Sequence, residues 1–375
     1  MNKVSRFAIL LSFMMSAYAS AEQVIKPTDP RWSLSGSDVS VTEIDGKEAI
    51  KIGRGKALLE QVMFENGTLE FDVYLPNERA FAYLYFRGQN EQEFEEIYLR
   101  THKPNAPDAL QYAPVFQGRS AWQLYHGDKG TASAHFNANQ WIPIKVVLAG
   151  SQMQVWVGQD DAPTMTIERL GRDSQAGWIG FRGFIPNTSS AEFSAYFSGV
   201  TLTPIDTNTI EVSRERADLP AGQITQWKVS EAFASKPGPI SELPDHIIDS
   251  EWINPPMQPD GSMEFLRSVQ IPEGVRHYST AAQVIIHSDA AQTCGISLGF
   301  SDQLTLSLND QAIVYQDARY RFDKPRRQGV MHADQLRVYL PLKAGNNRLR
   351  AVVSDNFGGW GLMGRLHQCA GIEVR

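Results

Sequence analysis

The chain has 375 residues, with 35 Lys and Arg against 42 Asp and Glu, for a formal net charge of −7. A mildly acidic surface argues against nucleic acid and against anionic membranes as partners, because both reward dense Lys and Arg. The length exceeds one ordinary domain and suggests about two.

The first predicted element is a signal peptide over residues 1–21. Lys3 and Arg6 give a positive start, Phe7 to Met15 is apolar and uncharged, and Ala19-Ser20-Ala21 offers a small-residue cleavage site before Glu22. The apolar run is too short to span a bilayer, and no later run is long and apolar enough, so membrane insertion is not expected. No cysteine follows the cleavage site, so a lipid anchor is not indicated. The expectation is an exported protein, periplasmic or secreted, with a mature charge of −9 once Lys3 and Arg6 are removed.

Beyond the signal, nearly every strong periodicity is two. Glu70 to Leu75, Lys145 to Leu148, Met153 to Val157, Ala191 to Leu202, Thr305 to Leu308 and Leu336 to Leu342 all alternate. Glu65-Asn66-Gly67 and Leu308-Asn309-Asp310 are typical of the turn residues between them. Many short antiparallel strands with such punctuation predict an all-β chain of two β-sandwich domains, with little helix. The first domain is expected over 25–204 and the second over 223–375. The linker at 205–222 loses alternation and gains charge, Pro and Thr. The Pro-rich stretch Lys236 to Gly261 is long for an irregular segment and is expected to wrap a surface or edge. Cys294 and Cys369 both fall in the second domain. They form a disulfide stabilising by about 3–4 kcal/mol, remain two free buried thiols, or, less well matched, share a metal; two cysteines alone make a poor zinc site.

Alternation also sorts side chains onto faces. With Leu84 and Phe86 in the core, Tyr83, Tyr85 and Arg87 share the other face. With Ile97 and Leu99 buried, Glu96, Tyr98, Arg100 and His102 face outward, and burying Ile179 and Phe181 leaves Trp178 and Arg182 outward. Ser120 to Tyr125 offers either Trp122 or Gln123 and Tyr125. The stretch His102 to Gly118 carries Asn105, Asp108, Gln111 and Tyr112 with three prolines, a stiffened polar loop beside that face. Aromatic rings next to Arg, Glu, Gln and His suit a sugar: the rings stack on pyranose C–H faces and the polar groups bond hydroxyls. The competing reading is a solvated or loop-covered sheet face, since aromatics favour strands and Arg stems cover apolar surface.

Phe64-Glu65-Asn66-Gly67-Thr68-Leu69-Glu70-Phe71-Asp72-Val73, Tyr85-Phe86-Arg87-Gly88, Gln140 to Val146 and Gly177 to Arg182 together resemble the concanavalin A-like lectin and glucanase superfamily. Within it they are similar to the laminin G-like and 3-keto-disaccharide hydrolase groups. The resemblance implies a curved sandwich with a carbohydrate-facing concave sheet, and a structural calcium for which Asp160, Asp161 and Asp302 are candidates. It assigns no activity. Leu306 to Tyr315, Leu340 to Leu349 and Asp355 to Leu362 resemble galactose-binding-like jelly rolls. In that reading Phe357 and Trp360 are packing residues.

A retaining glucanase needs two carboxylates about 5–5.5 Å apart. Glu70-Phe71-Asp72 comes nearest to the superfamily's one-strand motif, but its third carboxylate is missing and it comes too early in the domain. The expected function is therefore an exported carbohydrate-recognition protein binding an oligosaccharide or polysaccharide on its first sandwich. Tyr83, Tyr85 and Tyr98 would be platforms, and Arg87, Glu96, Arg100 and Arg182 hydrogen-bonding clamps. The alternatives are a hydrolase or lyase using Glu96 and His102, and a structural or protein-binding module. Pairing on this face is expected to lower the Glu96 pKa rather than raise it.

Overall fold

The computed structural model describes residues 22–185, 194–205, 218–321, 328–367 and 369–375. The signal peptide over 1–21 and residues 206–217 of the expected linker lie outside the described residues. Strand dominates, and the described residues hold a single short α-helix, Asp245–Ile248, beside two 3-10 turns. No described helix is long and apolar enough to cross a membrane.

Two antiparallel sheets form the first sandwich. One runs in the order Met165–Ile167, Gln152–Val157, Trp141–Ala149, Gly67–Tyr74, Ala195–Pro204, Lys47–Ile52, Val39–Ile44. The other runs Arg119–Ser120, Leu110–Phe116, Glu93–Arg100, Phe81–Asn90, Gly177–Phe184, Gly55–Phe64, Ser33–Gly36. Both place strands from distant parts of the sequence side by side, as a jelly roll does. Alternation decides what lies between them. Leu69, Phe71 and Val73 point inward while Glu70 and Asp72 point out, the latter onto Lys47. The inner layer is aromatic at its centre, where Phe181 stacks on Phe197 at 4.4 Å and meets Phe71 at 5.0 Å, so rings from both sheets interlock. Hairpin geometry follows local chemistry: Asp45-Gly46 and Asn309-Asp310 adopt positive φ at both central positions, the type I′ turn whose twist matches the flanking strands.

The second sandwich pairs a sheet centred on Tyr278–Ser288, Gly345–Asp355 and Gln303–Leu308 with one built of Met263–Glu264, Gly361–His367, Gln292–Ser301 and Leu336–Leu342. Trp360 is wholly buried there against Phe265 and Tyr278, its indole N–H donating to the Val353 carbonyl. Phe357, expected to pack in a turn, is half exposed and meets Trp122 of the first sandwich edge to face.

The sandwiches are joined by polar side chains that cross the boundary. The Gln117 amide donates to the carbonyls of Leu266 and Val269 and accepts from the Ile271 N–H. Gln123 accepts from the Ser301 hydroxyl and donates to the Gln328 carbonyl, and the Tyr125 hydroxyl donates to the Glu264 carboxylate. Phe116 meanwhile packs into the second core. Each crossing group is buried or half-buried, where losing a partner costs roughly 1–3 kcal/mol.

Cys294 and Cys369 form a disulfide across 75 residues, Cα to Cα 5.2 Å, which decides among the three sequence readings. A loop of that size restricts the unfolded chain by about 4 kcal/mol. Replacing both cysteines by alanine lowers the unfolding free energy of the second sandwich by that order, read from urea titrations with and without reductant. An unchanged midpoint would show the bond contributes nothing.

Candidate functional site

The outward face of the Phe81 sheet is ordered in rows by its ladders. Gln111, Tyr98, Tyr83, Arg182 and Lys56 sit side by side on five successive strands, and Ala113, Glu96, Tyr85, Gly180 and Leu58 form the next row. Arg100, Phe81 and Phe184 make a third. Directly opposed side chains in a sheet stand about 5 Å apart, so the rings touch. Tyr83 lies 4.7 Å from Tyr98 and 5.9 Å from Tyr85, and Phe81 lies 5.9 Å from Phe184.

This face has a closed half and an open half. Tyr85, Phe94 and Trp178 bury one another together with Leu58 and Val115, forming a small apolar cluster outside the main core. Phe81 and Tyr83 are half-buried and Phe184 is 37% exposed. Between them the Arg182 guanidinium lies 5.4 Å from the Tyr83 ring and 5.3 Å from that of Phe184, while one of its N–H groups donates to the Tyr85 hydroxyl at 3.0 Å. Stacking on two rings and one hydrogen bond fix its plane.

Glu96, opposite Tyr85 on the closed side of the face, is 4% exposed, its carboxylate accepting from the Ser120 hydroxyl at 2.6 Å. Burial pushes its pKa up to about 7, against the Ser120 bond and the Arg182 charge, which pull it down. The expected lowering is thus reversed, because enclosure under Tyr85 and Tyr98 outweighs pairing. Burial likewise raises the hydroxyls of Tyr83, Tyr85 and Tyr98 above their ordinary value. His102 stands edge-on to Phe81 at 5.7 Å. Burial first, then the charges of Arg79 and Lys103, hold its imidazole down at about 4, so it is neutral near pH 7. Glu96 and His102 do not meet: the strand advances about 13 Å from Glu96 to Arg100, and His102 lies beyond its end.

Other expected members are placed elsewhere. Arg87 adopts a φ of 50° where the ladder slips between Phe86 and Asn90. That bulge breaks the alternation and turns its guanidinium to the carbonyls of Glu65 and Gly150 and to buried Glu95, 3.8 Å away. Tyr112 belongs to the main core, donating to Glu95. It lies in the strand Leu110–Phe116, where a stiffened loop was expected. Gln111 does share the outer face, but it is fully buried and its amide nitrogen serves the carbonyls of Tyr112, Tyr125 and Gly130. Arg100 is held by the Asp108 backbone carbonyl and by Gln111. Trp122 packs on Tyr320 and Phe357 of the second sandwich. Trp178 lies in the closed half.

Glu70 and Asp72 point outward from the opposite sheet, away from this face. Asp160 and Asp161 are exposed, and Asp302 is buried beside Asp355: burial raises both carboxyls, the Asp355 charge raises Asp302 further, and the hydrogen bond with Asp302 draws Asp355 back down. Among the described residues no three His, Cys, Asp or Glu converge as a metal group would require. Phe81 and Phe184 are the members that sequence reading passed over. Each lies two residues from a named one, Tyr83 and Arg182, and the same alternation points to both.

No family model matches the chain, and no curated protein is found similar to it. Among solved structures it is similar to the carbohydrate binding module CBM66 from Bacillus subtilis, at 14% identity and TM-score 0.34, over 46% of this chain and 94% of that one. It is also similar to a Bacillus licheniformis beta-glucanase, at 9% and 0.38, over 50% and 100%. A third is the exoplasmic/lumenal domain of VIP36 in its Ca2+/Man3GlcNAc-bound form, at 13% and 0.36, over 51% and 94%. Likenesses of this size carry no argument about activity; the sandwich stands on its own strand order.

Buried carboxyls, Glu95, Glu96 and Glu264 among them, set a pH dependence. Burial raises Glu95, Glu96 and Glu264 from 4.5 to about 7 each, a shift worth roughly 3 kcal/mol per group. Between pH 4.5 and 7 the folded chain holds more protons than the unfolded one, so this contribution is full below 4.5 and is lost as pH rises through 7. The melting temperature is therefore higher at pH 5 than at pH 8, and Glu96→Gln melts above the wild type at pH 8 and close to it at pH 5. Equal wild-type values at the two pH values would contradict the burial account.

Proposed function

We propose that the protein is an exported carbohydrate-recognition protein that holds a glycan on the outward face of the Phe81 sheet, over Phe81, Tyr83 and Phe184 beside Arg182. One observation carries this reading: an aromatic strip on the side of the sheet away from the core, partly open to solvent, with a guanidinium fixed among its rings. Aromatic rings left uncovered on a solvent face keep apolar surface in water, which a ligand relieves. Sugars suit such a floor because their C–H faces stack while their hydroxyls reach neighbouring polar groups. The disulfide is in keeping with export, since such bonds persist in oxidising compartments.

The reading of Glu96 and His102 as an acid/base pair gains no support from their separation. Glu96 alone, with its pKa near 7, has the protonation behaviour of a general acid, yet it lies under Tyr85 and Tyr98 with Ser120 on its carboxylate. Recognition without cleavage is the better fit.

The test is binding of the purified mature protein to a glycan array, followed by titration calorimetry on the best ligand. Tyr83→Ala and Phe184→Ala each weaken binding about tenfold or more; the melting temperature shifts little for Phe184→Ala, whose ring is exposed, and falls for Tyr83→Ala, whose ring is half-buried against Tyr98. Unchanged affinity in both variants would remove this face as the site.

A further inference from the structure

Resting on that reading of the face, a second question is what kind of glycan the polar groups around the strip select. A neutral sugar hydroxyl both donates and accepts, so its binding sites normally offer acceptors as well as donors. Here most of the carboxylate and amide acceptors are already occupied. The Asp108 carboxylate takes Lys103 at 2.8 Å and Arg100 at 3.7 Å. The side-chain oxygen of Gln111 takes Arg100 at 3.1 Å. Glu96 is enclosed and bonded by Ser120, and Glu91, at the turn beyond Lys56, takes the Lys56 ammonium. Glu78 has one carboxylate oxygen closed off from solvent without a hydrogen bond.

Donors with positive charge remain. Arg182 has no carboxylate within ion-pair distance among the described residues, and only one of its N–H groups is used, by the Tyr85 hydroxyl. Arg79, exposed at the Phe81 end, likewise has no ion-pair partner among the described residues. It lies close enough to His102 for its charge to help depress that imidazole. The aromatic strip thus runs from Arg79 and His102, across Phe81 and Phe184, to Arg182 over Tyr83. Two guanidinium groups without an ion-pair partner among the described residues thus flank this aromatic strip, in a chain whose net charge is negative.

We infer that the ligand of this face is an acidic glycan, whose carboxylate or sulfate ester is taken by the Arg182 guanidinium while its sugar ring lies on Phe81, Tyr83 and Phe184. A planar guanidinium with free N–H groups forks onto either anion, and the chemistry is shared between the two sources. The half-buried setting, with aromatic walls, screens the pair less than an exposed one. Glu96, with its pKa raised to about 7, is only partly ionised near neutral pH and offsets the Arg182 charge in part.

The experiment compares matched pairs by titration calorimetry at two salt concentrations. One pair is a galacturonic acid tetramer and its fully methyl-esterified form; the other is a sulfated galactan tetrasaccharide and its desulfated form. The expected result is that the anionic member of one pair binds at least tenfold tighter than its neutral partner and weakens with added salt. Which pair responds identifies carboxylate or sulfate. Arg182→Gln, checked for an unchanged fold by its circular dichroism, removes that preference, so that the anionic and neutral members of the responding pair then bind alike. Arg79→Ala, at an exposed position, reduces it in part. Equal or tighter binding of the neutral members would overturn the inference and leave the glycan reading standing. Binding of no member of either pair, with a neutral glycan bound at Tyr83, would likewise sink the inference alone, whereas a protein that binds no glycan of any class would sink both.

Discussion

The strand Phe81–Asn90 is apolar on both of its faces, and much of the first sandwich is arranged around that constraint. Its inward residues Ala82, Leu84 and Phe86 belong to the common core. Its outward residues Phe81, Tyr83 and Tyr85 would otherwise stand in water at a cost of about 25 cal/mol for each Å² left exposed. The neighbouring strands cover part of this surface with Phe94, Trp178, Leu58 and Val115. Cover stops there, and Phe81, Tyr83 and Phe184 remain partly open. Enclosing Glu96 under the covered half is a consequence: a carboxylate beneath rings loses water, and its ionisation becomes the unfavourable state.

The same economy of cover explains how the sandwiches meet. Glu95, on the inner side of the strand that carries Glu96 outward, is paired with Arg87 and Tyr112. The Tyr112 ring stands edge-on to Tyr125 at 5.6 Å, and the Tyr125 hydroxyl donates a hydrogen bond to Glu264 of the second sandwich. A ring contact thus joins the hydrogen-bonded group around Glu95 to the one at the boundary. Buried hydrogen-bonded groups of this kind hold a geometry well when satisfied and are costly when broken.

How much of this was legible follows from where alternation held. On unbroken stretches of strand it put Tyr83, Tyr85, Glu96, Tyr98, Arg100 and Arg182 on one face, and the ladders place them in adjacent rows. At Arg87 it failed, because a positive φ and a slipped ladder have no period-two signature. Tyr112 and Gln111 were read as loop residues because the prolines around them suggested one; Pro114 instead sits within a strand opposite Glu95. Trp122 follows the short strand Arg119–Ser120 into a turn, and its partners Tyr320 and Phe357 are some 200 residues away in sequence. Burial, which reverses the sign of the Glu96 shift, is set by side chains from several strands and cannot be read from one.

The central claim is that the open half of this aromatic face is where a glycan rests. A crystal structure of the mature protein with a bound oligosaccharide tests it most directly. The account predicts a sugar ring in van der Waals contact with Phe81, Tyr83 and Phe184, with a polar substituent on Arg182. Well-ordered sugar seated instead at the Trp122–Phe357 contact, or on the opposite sheet beside Glu70 and Asp72, with the Phe81 face empty, would contradict it.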